Sequence, residues 1–357
     1  MIKVTITNEV LNRILRIEEC RKHFGSITLP VSLCNKLRKS SKKKSSYASN
    51  HIEGNPLTEE QTAEVIEAKN RHFLKPEQEV RNYFAALEMS ETLLRKRTPF
   101  SLVLILDLQR QIVQGAGKEK IGLRGPMPPG VLFAVYDDKS RKPEYIPPAY
   151  DEVSALIEEL VDYVNHSDDH PLIKAAVVHY QMVTIHPFED GNGRTARLLT
   201  DYVLSYYGYG FNQIGSLDEY YAYDIEEYYN SLQMGLPVLY YDGRNNPPHP
   251  EIWVHYFLRM VELHAQRVVE LSSSSLQEQA KFSLSFLNTK ERRFLQYLFD
   301  NQIRTFTPVE MADTMNVTNR TITNWCSKLA QNGFLHPNQV NKRIRSYTVT
   351  GFGKKIP

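Results

Sequence analysis

The sequence predicts a mainly α-helical chain with one short β-hairpin, followed by a small module of mixed helices and strands. Three observations carry this. Apolar residues recur at helical spacing through most of residues 45–271. Gly and Pro punctuation changes that texture between Gly122 and Pro148, around an extended run Val131-Leu-Phe-Ala-Val-Tyr136. The last segment, Phe286 to Pro357, holds 11 Lys/Arg against 4 Asp/Glu, although the formal net charge of all 357 residues is only +2. A separate basic module at the C-terminal end follows from that asymmetry. The division is then 1–90, an N-terminal helical region; 91–271, a core; 272–285, a junction marked by Ser272-Ser-Ser-Ser275; and 286–357, the basic module.

The elements follow in order. Residues 1–40 show no clear period, and Lys36 to Lys44, with six positive charges in nine residues, reads as a solvated loop. A short helical segment from Ser45 through Ile52 stops at Gly54. Thr58-Glu-Glu-Gln61 is a capping box opening a helix toward Asn70. Amphipathic helices are expected at 77–95, 101–114 and 151–164, and Pro171 is placed to open another that runs to about Thr184. The hairpin pairs Val131–Tyr136 with a strand ending Glu144-Tyr-Ile146, across Asp137 to Arg141. Helices at 195–207, 218–233 and 251–271 complete the core.

Composition excludes several classes. No run approaches the roughly 18 apolar residues of a membrane helix, and the first residues lack the features of a signal peptide, so no membrane partner and a cytoplasmic location are expected. Cys20, Cys34 and Cys326 show no Cys-x-x-Cys spacing and read as ordinary thiols rather than disulfides or zinc ligands.

The chemistry concentrates in His186-Pro-Phe-Glu-Asp-Gly-Asn-Gly-Arg-Thr-Ala-Arg197. The glycines of Asp190-Gly-Asn-Gly-Arg194 permit left-handed backbone and close approach, so that successive N–H groups can converge on an anion. The following helix adds the positive end of its dipole, and Arg194 and Arg197 on its first turn add charge-assisted hydrogen bonds to phosphate oxygens. Asp190 would repel such a ligand unless it holds a divalent cation, and magnesium is the expected one. His186 is a proton acceptor near neutral pH that could activate an incoming hydroxyl. Together these point to phosphoryl or nucleotidyl transfer.

The stretch resembles the Fic family signature His-Pro-Phe-x-Asp-Gly-Asn-Gly-Arg-x-x-Arg at every specified position. The resemblance covers roughly Ser45 to Leu271 and implies a Fic-type helical bundle with a β-hairpin flap. It implies transfer of AMP from ATP, with Mg²⁺, to a Ser, Thr or Tyr hydroxyl of a protein. His186 would deprotonate the hydroxyl, Asp190 hold the metal, and Gly191, Asn192 and Gly193 form the anion cradle. Arg194 would contact the β/γ end, Arg197 grip the γ-phosphate, and Tyr228 lie beside the adenine. The target would pair with the flap edge around Lys142 to Tyr145. Ser49-Asn-His-Ile-Glu-Gly54 resembles the family's inhibitory helix, whose motif residues here are Ser49, Glu53 and Gly54, with Glu53 pairing with Arg197. Removal of AMP, transfer of another group, and nucleotide sensing by a DNA-binding regulator are the alternatives.

In the basic module, Thr307-Pro-Val-Glu310 is a capping box opening a helix to Met315, Thr318 to Gln331 is a second helix, and Phe334-Leu335 and Ile344–Val349 read as strands. The pattern resembles a winged helix-turn-helix, an α+β module. Arg320, Asn324, Lys328, Lys342, Arg343 and Arg345 are suited to DNA contact, while protein binding or homodimer formation is the other use of such a module.

Overall fold

A computed structural model describes residues 1–69, 71–115, 121–131, 133–136, 143–236, 247–283, 287–340 and 343–350. The chain divides into two units, Met1–Ser272 and Ser273–Pro357.

The first unit is helical: α1 (Asn8–Ser26), α2 (Val31–Ile52), α3 (Glu59–Glu67), α4 (Lys75–Arg95), α5 (Leu102–Val113), α6 (Val153–His166), α7 (Pro171–Ile185) and α8 (Asn192–Tyr206), then α9 (Asp218–Tyr223), α10 (Ile225–Gln233) and α11 (Pro250–Ser283), which continues into the second. Its centre is α7, where every residue from Leu172 to Ile185 except Val183 is buried. A helix apolar on all sides can only be stable when surrounded, and α7 packs along α8 with α6 on another side. Local signals start the elements as expected: Thr58 and Gln61 form the reciprocal capping box of α3, Ser101 caps α5, and Pro171 opens α7. Strands β1 (Val135–Tyr136) and β2 (Pro143–Tyr145) pair antiparallel, with Val135 opposite Tyr145. Both are shorter than the sequence suggested, and the connection at 137–142 lies outside the described residues.

Three expectations change, and a fourth is refined. The basic run Lys36–Lys44 is not a loop; it lies within the 22-residue α2. Lys39 and Lys43 both reach Glu67 (2.7 and 2.8 Å), Lys44 reaches Glu219 (2.8 Å), and Lys42 lies between Glu88 and Glu91. The helix was hidden because its inward face is built from Ser41, Ser45 and Ser49, a period of four residues carried by small polar groups. Residues 218–233 form two helices, because Asp224 leaves helical geometry (φ −139°, ψ 85°) and caps α10 by accepting from the Glu227 N–H. Residues 8–26, read without a period, form α1. The serine run remains the place where the chain divides, between Ser272 and Ser273, and its backbone is helical because α11 extends to Ser283.

The second unit contains α12 (Thr289–Asp300), α13 (Pro308–Met315), α14 (Asn319–Gln331) and strands β3 (Thr305–Phe306), β4 (Leu335–Val340) and β5 (Arg343–Val349). The strands form an antiparallel sheet ordered β3-β5-β4, with Leu335 opposite Val349. Phe294, Leu298, Phe306, Ile322, Trp325 and Tyr347 share its core. The Thr307/Glu310 capping box opens α13 and Thr318 caps α14.

Candidate active site

The site is assembled where α7 ends and α8 begins. A helix leaves its last four carbonyls without intrahelical partners, and here side chains satisfy each of them. His186 terminates α7 in the left-handed region (φ 49°, ψ 58°), where a non-glycine residue is uncommon. Its N–H donates to the Met182 carbonyl (3.2 Å) and its Nδ1 approaches the Val183 carbonyl (3.3 Å). The Thr184 carbonyl accepts from the Tyr145 hydroxyl of β2. Those of Ile185 and His186 accept from the Arg124 guanidinium (3.5 and 2.9 Å). With Nδ1 donating to Val183, the proton-accepting nitrogen is Nε2. Burial pushes the imidazole pKa down to about 4, against the Val183 carbonyl and Glu53, which raise it, so the ring is neutral at pH 7.

The turn into α8 is fixed by Asn192, whose amide oxygen accepts from the Phe188 N–H (2.9 Å) and whose NH₂ donates to the Phe188 carbonyl (2.8 Å). Phe188 is fully buried and anchors the loop. Gly191 has φ +81°, and a Cβ there would lie 2.9 Å from Val113 Cγ1, so both conformation and space require glycine. At Gly193 the reason is different: a Cβ would run into Glu53 Oε1. The Glu53 carboxylate therefore sits against the backbone at the first turn of α8, where an anion is favoured by the free N–H groups and the dipole.

Arg197, 1 % exposed at its side chain, reaches back to α2: Nε donates to Ser49 Oγ, and Nη2 to the Ser49 carbonyl and to Glu53 Oε1, all at 2.8 Å. Behind it Asp218 Oδ1 lies 3.7 Å from Nε, while Asp218 Oδ2 accepts from Ser45 and, at 3.3 Å, from the Tyr83 hydroxyl. Burial drives the Glu53 carboxyl pKa up, but Arg197 and then Arg194 more than reverse this, so Glu53 stays ionised below the usual carboxylate range. Its side chain keeps 34 % exposure because it faces a cavity rather than the bundle. Gly54 follows at φ +79° and ends α2.

That cavity has a volume of about 280 Å³, and Glu53, His186, Gly193, Arg197 and Tyr228 are among the residues that line it. Tyr228 is held by a buried relay. Thr200 Oγ1 donates to the Ala196 carbonyl (2.7 Å) and so receives His179 Nδ1 (3.0 Å), leaving His179 Nε2 to accept from the Tyr228 hydroxyl (2.8 Å). Val135 and Tyr145 of the hairpin form another wall. Asp190 stands outside this lining, 55 % exposed, with Oδ1 accepting from Arg194 (2.9 Å). Arg194 is buried, and its Nε has no hydrogen-bond partner among the described residues.

Two contributors escaped sequence reasoning. Gln109, fully buried on α5, donates to the Asp190 carbonyl (3.3 Å) and accepts from the Gly122 N–H (3.2 Å). Arg124 also donates its backbone N–H to the Pro187 carbonyl (2.8 Å). Gln109 lies in an apolar helix and Arg124 in a Gly/Pro-rich segment, and neither stands near the loop in sequence. In the second unit Arg320, Asn324, Arg343 and Arg345 are exposed. Lys328 is partly exposed, and its Nζ lies 2.7 Å from Glu291 Oε2, an ion pair within the unit's own fold. Lys342 lies outside the described residues.

Residues 99–204 match the Fic/DOC family model, and that span includes α7, the loop and α8. That stretch is similar to the domains of the Fic/DOC family. Outside it the likeness extends further. A protein adenylyltransferase Fic of Nematostella vectensis is 30 % identical over 197 residues, covering 53 % of this chain and 43 % of the relative. The protein of the same name from Drosophila virilis is 28 % identical over 208 residues, covering 55 % and 40 %. The chain thus spans less than half the length of these curated relatives. Among solved structures, a Fic family protein from Desulfovibrio desulfuricans G20 matches with a TM-score of 0.64 at 20 % identity, covering 99 % of this chain and 100 % of that one. Fic-1 of C. elegans, residues 134–508, matches with a TM-score of 0.59 at 24 % identity over 74 % and 73 %. Both show a shared fold, and the mainly helical Fic architecture with its hairpin is the fold of the first unit. No helix among the described residues is long and apolar enough to cross a membrane.

Proposed function

We propose that this protein transfers AMP from ATP to a hydroxyl of a protein, and that Glu53 restrains the reaction. The observation that carries the reading is one cavity bounded by a neutral imidazole and by the anion-binding first turn of α8. His186 Nε2 accepts the proton of the incoming hydroxyl. Its oxygen forms a bond to the α-phosphorus of ATP, the bond from that phosphorus to the bridging oxygen breaks, and pyrophosphate leaves. The backbone at Gly191–Gly193, with Arg194 and Arg197, sets donors in place where the charge of the leaving pyrophosphate develops, which lowers the barrier without reorganisation. Tyr228, fixed by His179, offers a ring for the base to stack on.

Asp190 fits a magnesium site of the kind made by one carboxylate and substrate oxygens, because it is exposed beside the cradle while Arg194 orients only one of its oxygens. Bound there, Mg²⁺ would neutralise the polyphosphate. Glu53 works against the same charge: its carboxylate occupies the space over Gly193 and engages the guanidinium that would otherwise meet the γ-phosphate. The target hydroxyl would arrive along β2, whose short strand offers main-chain groups for pairing.

For the second unit we propose the winged helix-turn-helix reading and duplex DNA as the partner. The outward face of α14 carries Asn319, Arg320, Thr323, Asn324 and Ser327 with no acidic residue, and Arg343 and Arg345 extend the positive charge onto β5. Such a face offers donors for base edges and cations for phosphates.

The test of the transfer is ATP carrying distinguishable labels on its α- and γ-phosphates, given with Mg²⁺ to a Glu53→Gly variant. Protein that acquires the α label without the γ label supports AMP transfer. Acquisition of the γ label means phosphate transfer and rejects the reading.

A further inference from the structure

We propose that Arg124 is a positioning residue for the base: it locks the C-terminal carbonyls of α7 and, through Phe133, the face of the His186 ring, so that Nε2 points into the cavity. Four hydrogen bonds and one ring contact converge on this side chain and its peptide. Nε donates to the His186 carbonyl at 2.9 Å, and Nη2 donates to the carbonyls of Pro148 and Ile185. The Arg124 N–H donates to the Pro187 carbonyl at 2.8 Å, so both peptide units flanking the His-Pro bond are tied to one residue. The guanidinium lies 4.7 Å from the Phe133 ring centroid, and Phe133 in turn lies 6.0 Å from the His186 ring. Cation, aromatic ring and imidazole lie in a row, the two rings tilted by 52°, that joins the segment leading into β1 to the proposed base.

The need for such a device follows from His186 itself. A residue with a Cβ at φ 49° persists only when its surroundings over-determine the backbone, and the carbonyl on its C-terminal side is where it would relax. A lysine could supply charge at the negative end of α7 but could not address several carbonyls in one plane, so arginine is the residue required. Burial holds the Arg124 pKa below the ordinary arginine value, yet the group remains cationic at neutral pH and disfavours a second positive charge on the imidazole. Burial is the main reason the imidazole stays neutral; of the two charged groups acting on it, Arg124 adds to that effect and Glu53 opposes it.

The kinetic arm of the test rests on the AMP-transfer reading; the spectroscopic arm does not. In a Glu53→Gly background, which removes the opposing charge, Arg124→Met and Arg124→Lys are compared with the parent. Imidazole nitrogens are labelled and titrated by NMR, the His186 resonance being assigned by its loss in His186→Ala. For Arg124→Met the expectation is a His186 pKa displaced upward while burial still holds it below the usual histidine value, a fall in kcat of about 10- to 100-fold from misplacement of the base, and an ATP KM within about twofold of the parent. Arg124→Lys should keep most of the titration while losing part of the rate. A folded Arg124→Met protein with an unmoved titration and unmoved kcat overturns the proposal. Should Arg124→Met not fold, a folded Arg124→Lys with full kcat overturns it. If the parent transfers no AMP at all, the function reading fails, and the titration alone decides the role of Arg124.

Discussion

Replacing Glu53 by Gln keeps the shape of the side chain at the C-terminus of α2 and removes only its charge. The contact at stake joins a guanidinium that is 1 % exposed to a carboxylate that is 34 % exposed, at 2.8 Å. Unit charges at about 4 Å attract by about 4 kcal/mol at an effective dielectric constant near 20. Exposure of the carboxylate and the cost of taking the arginine out of water reduce that to about 2 kcal/mol net. Since 1.4 kcal/mol is a factor of ten, freeing Arg197 should tighten Mg²⁺–ATP binding by about 30-fold. The same loss should lower the melting temperature by about 4 °C, because no ligand replaces the carboxylate in the free protein. Calorimetric titration of wild type and Glu53→Gln with Mg²⁺–ATP, with thermal melts of both, reads these quantities. Equal affinities within twofold, together with equal melting temperatures, would refute the reasoning, since Glu53 would then not be competing for Arg197.

Further outcomes follow from the same geometry. With the His186 imidazole pKa depressed to about 4, the base is unprotonated throughout the ordinary range, so kcat/KM of a Glu53→Gly variant should stay level as pH falls from 8 and drop only below the usual histidine value; an acid limb at or above 6.5 in a pH–rate profile would contradict this. The Glu53 carboxyl pKa is lowered below 4.5, so the stability contributed by its pairing is present above 4.5 and lost as pH falls through the lower folded value; the melting-temperature gap between wild type and Glu53→Gln should close there. Gly193→Ala forces the Glu53 carboxylate off Arg197, so it should cost about 1–2 kcal/mol in wild type and clearly less in Glu53→Gly; urea melts of the four proteins give the coupling, and additivity would mean the two positions do not meet. Binding of the full chain to duplex DNA should weaken steeply with salt, and Arg320→Ala, Arg343→Ala and Arg345→Ala should each reduce the slope of log K against log salt by about one; fluorescence anisotropy showing no salt-dependent binding removes DNA as the partner.

What could be read from the sequence depended on whether its signal was local. Helix starts written as capping groups, such as Thr58, Ser101, Pro171 and Thr307, were legible because a cap and its first turn lie within four residues. The loop from His186 to Arg197 was legible for the same reason, since its twelve residues are consecutive, although the side chains that hold it in place come from distant positions. The α2 helix was hidden because it docks largely through small polar groups, with Leu37, Ala48 and Ile52 its few buried apolar ones, and its lysines find partners on α3, α4 and α9 that no local pattern reveals. The ion pair of Lys328 was not legible because Glu291, its partner, stands on another helix. Gln109 and Arg124 belong to the same category: each acts on the loop from a segment distant in sequence, and nothing about either residue marks it until the chain is folded.

The central claim is that His186 transfers AMP and Glu53 restrains it. Its most direct test is intact-mass measurement of wild type, Glu53→Gly and Glu53→Gly/His186→Ala after incubation with ATP and Mg²⁺. The account predicts little change for wild type, a gain of one or more AMP units for Glu53→Gly, and none for the double variant. An AMP gain that survives removal of His186, or a Glu53→Gly protein that binds ATP and cleaves it without moving AMP to any protein, would contradict it.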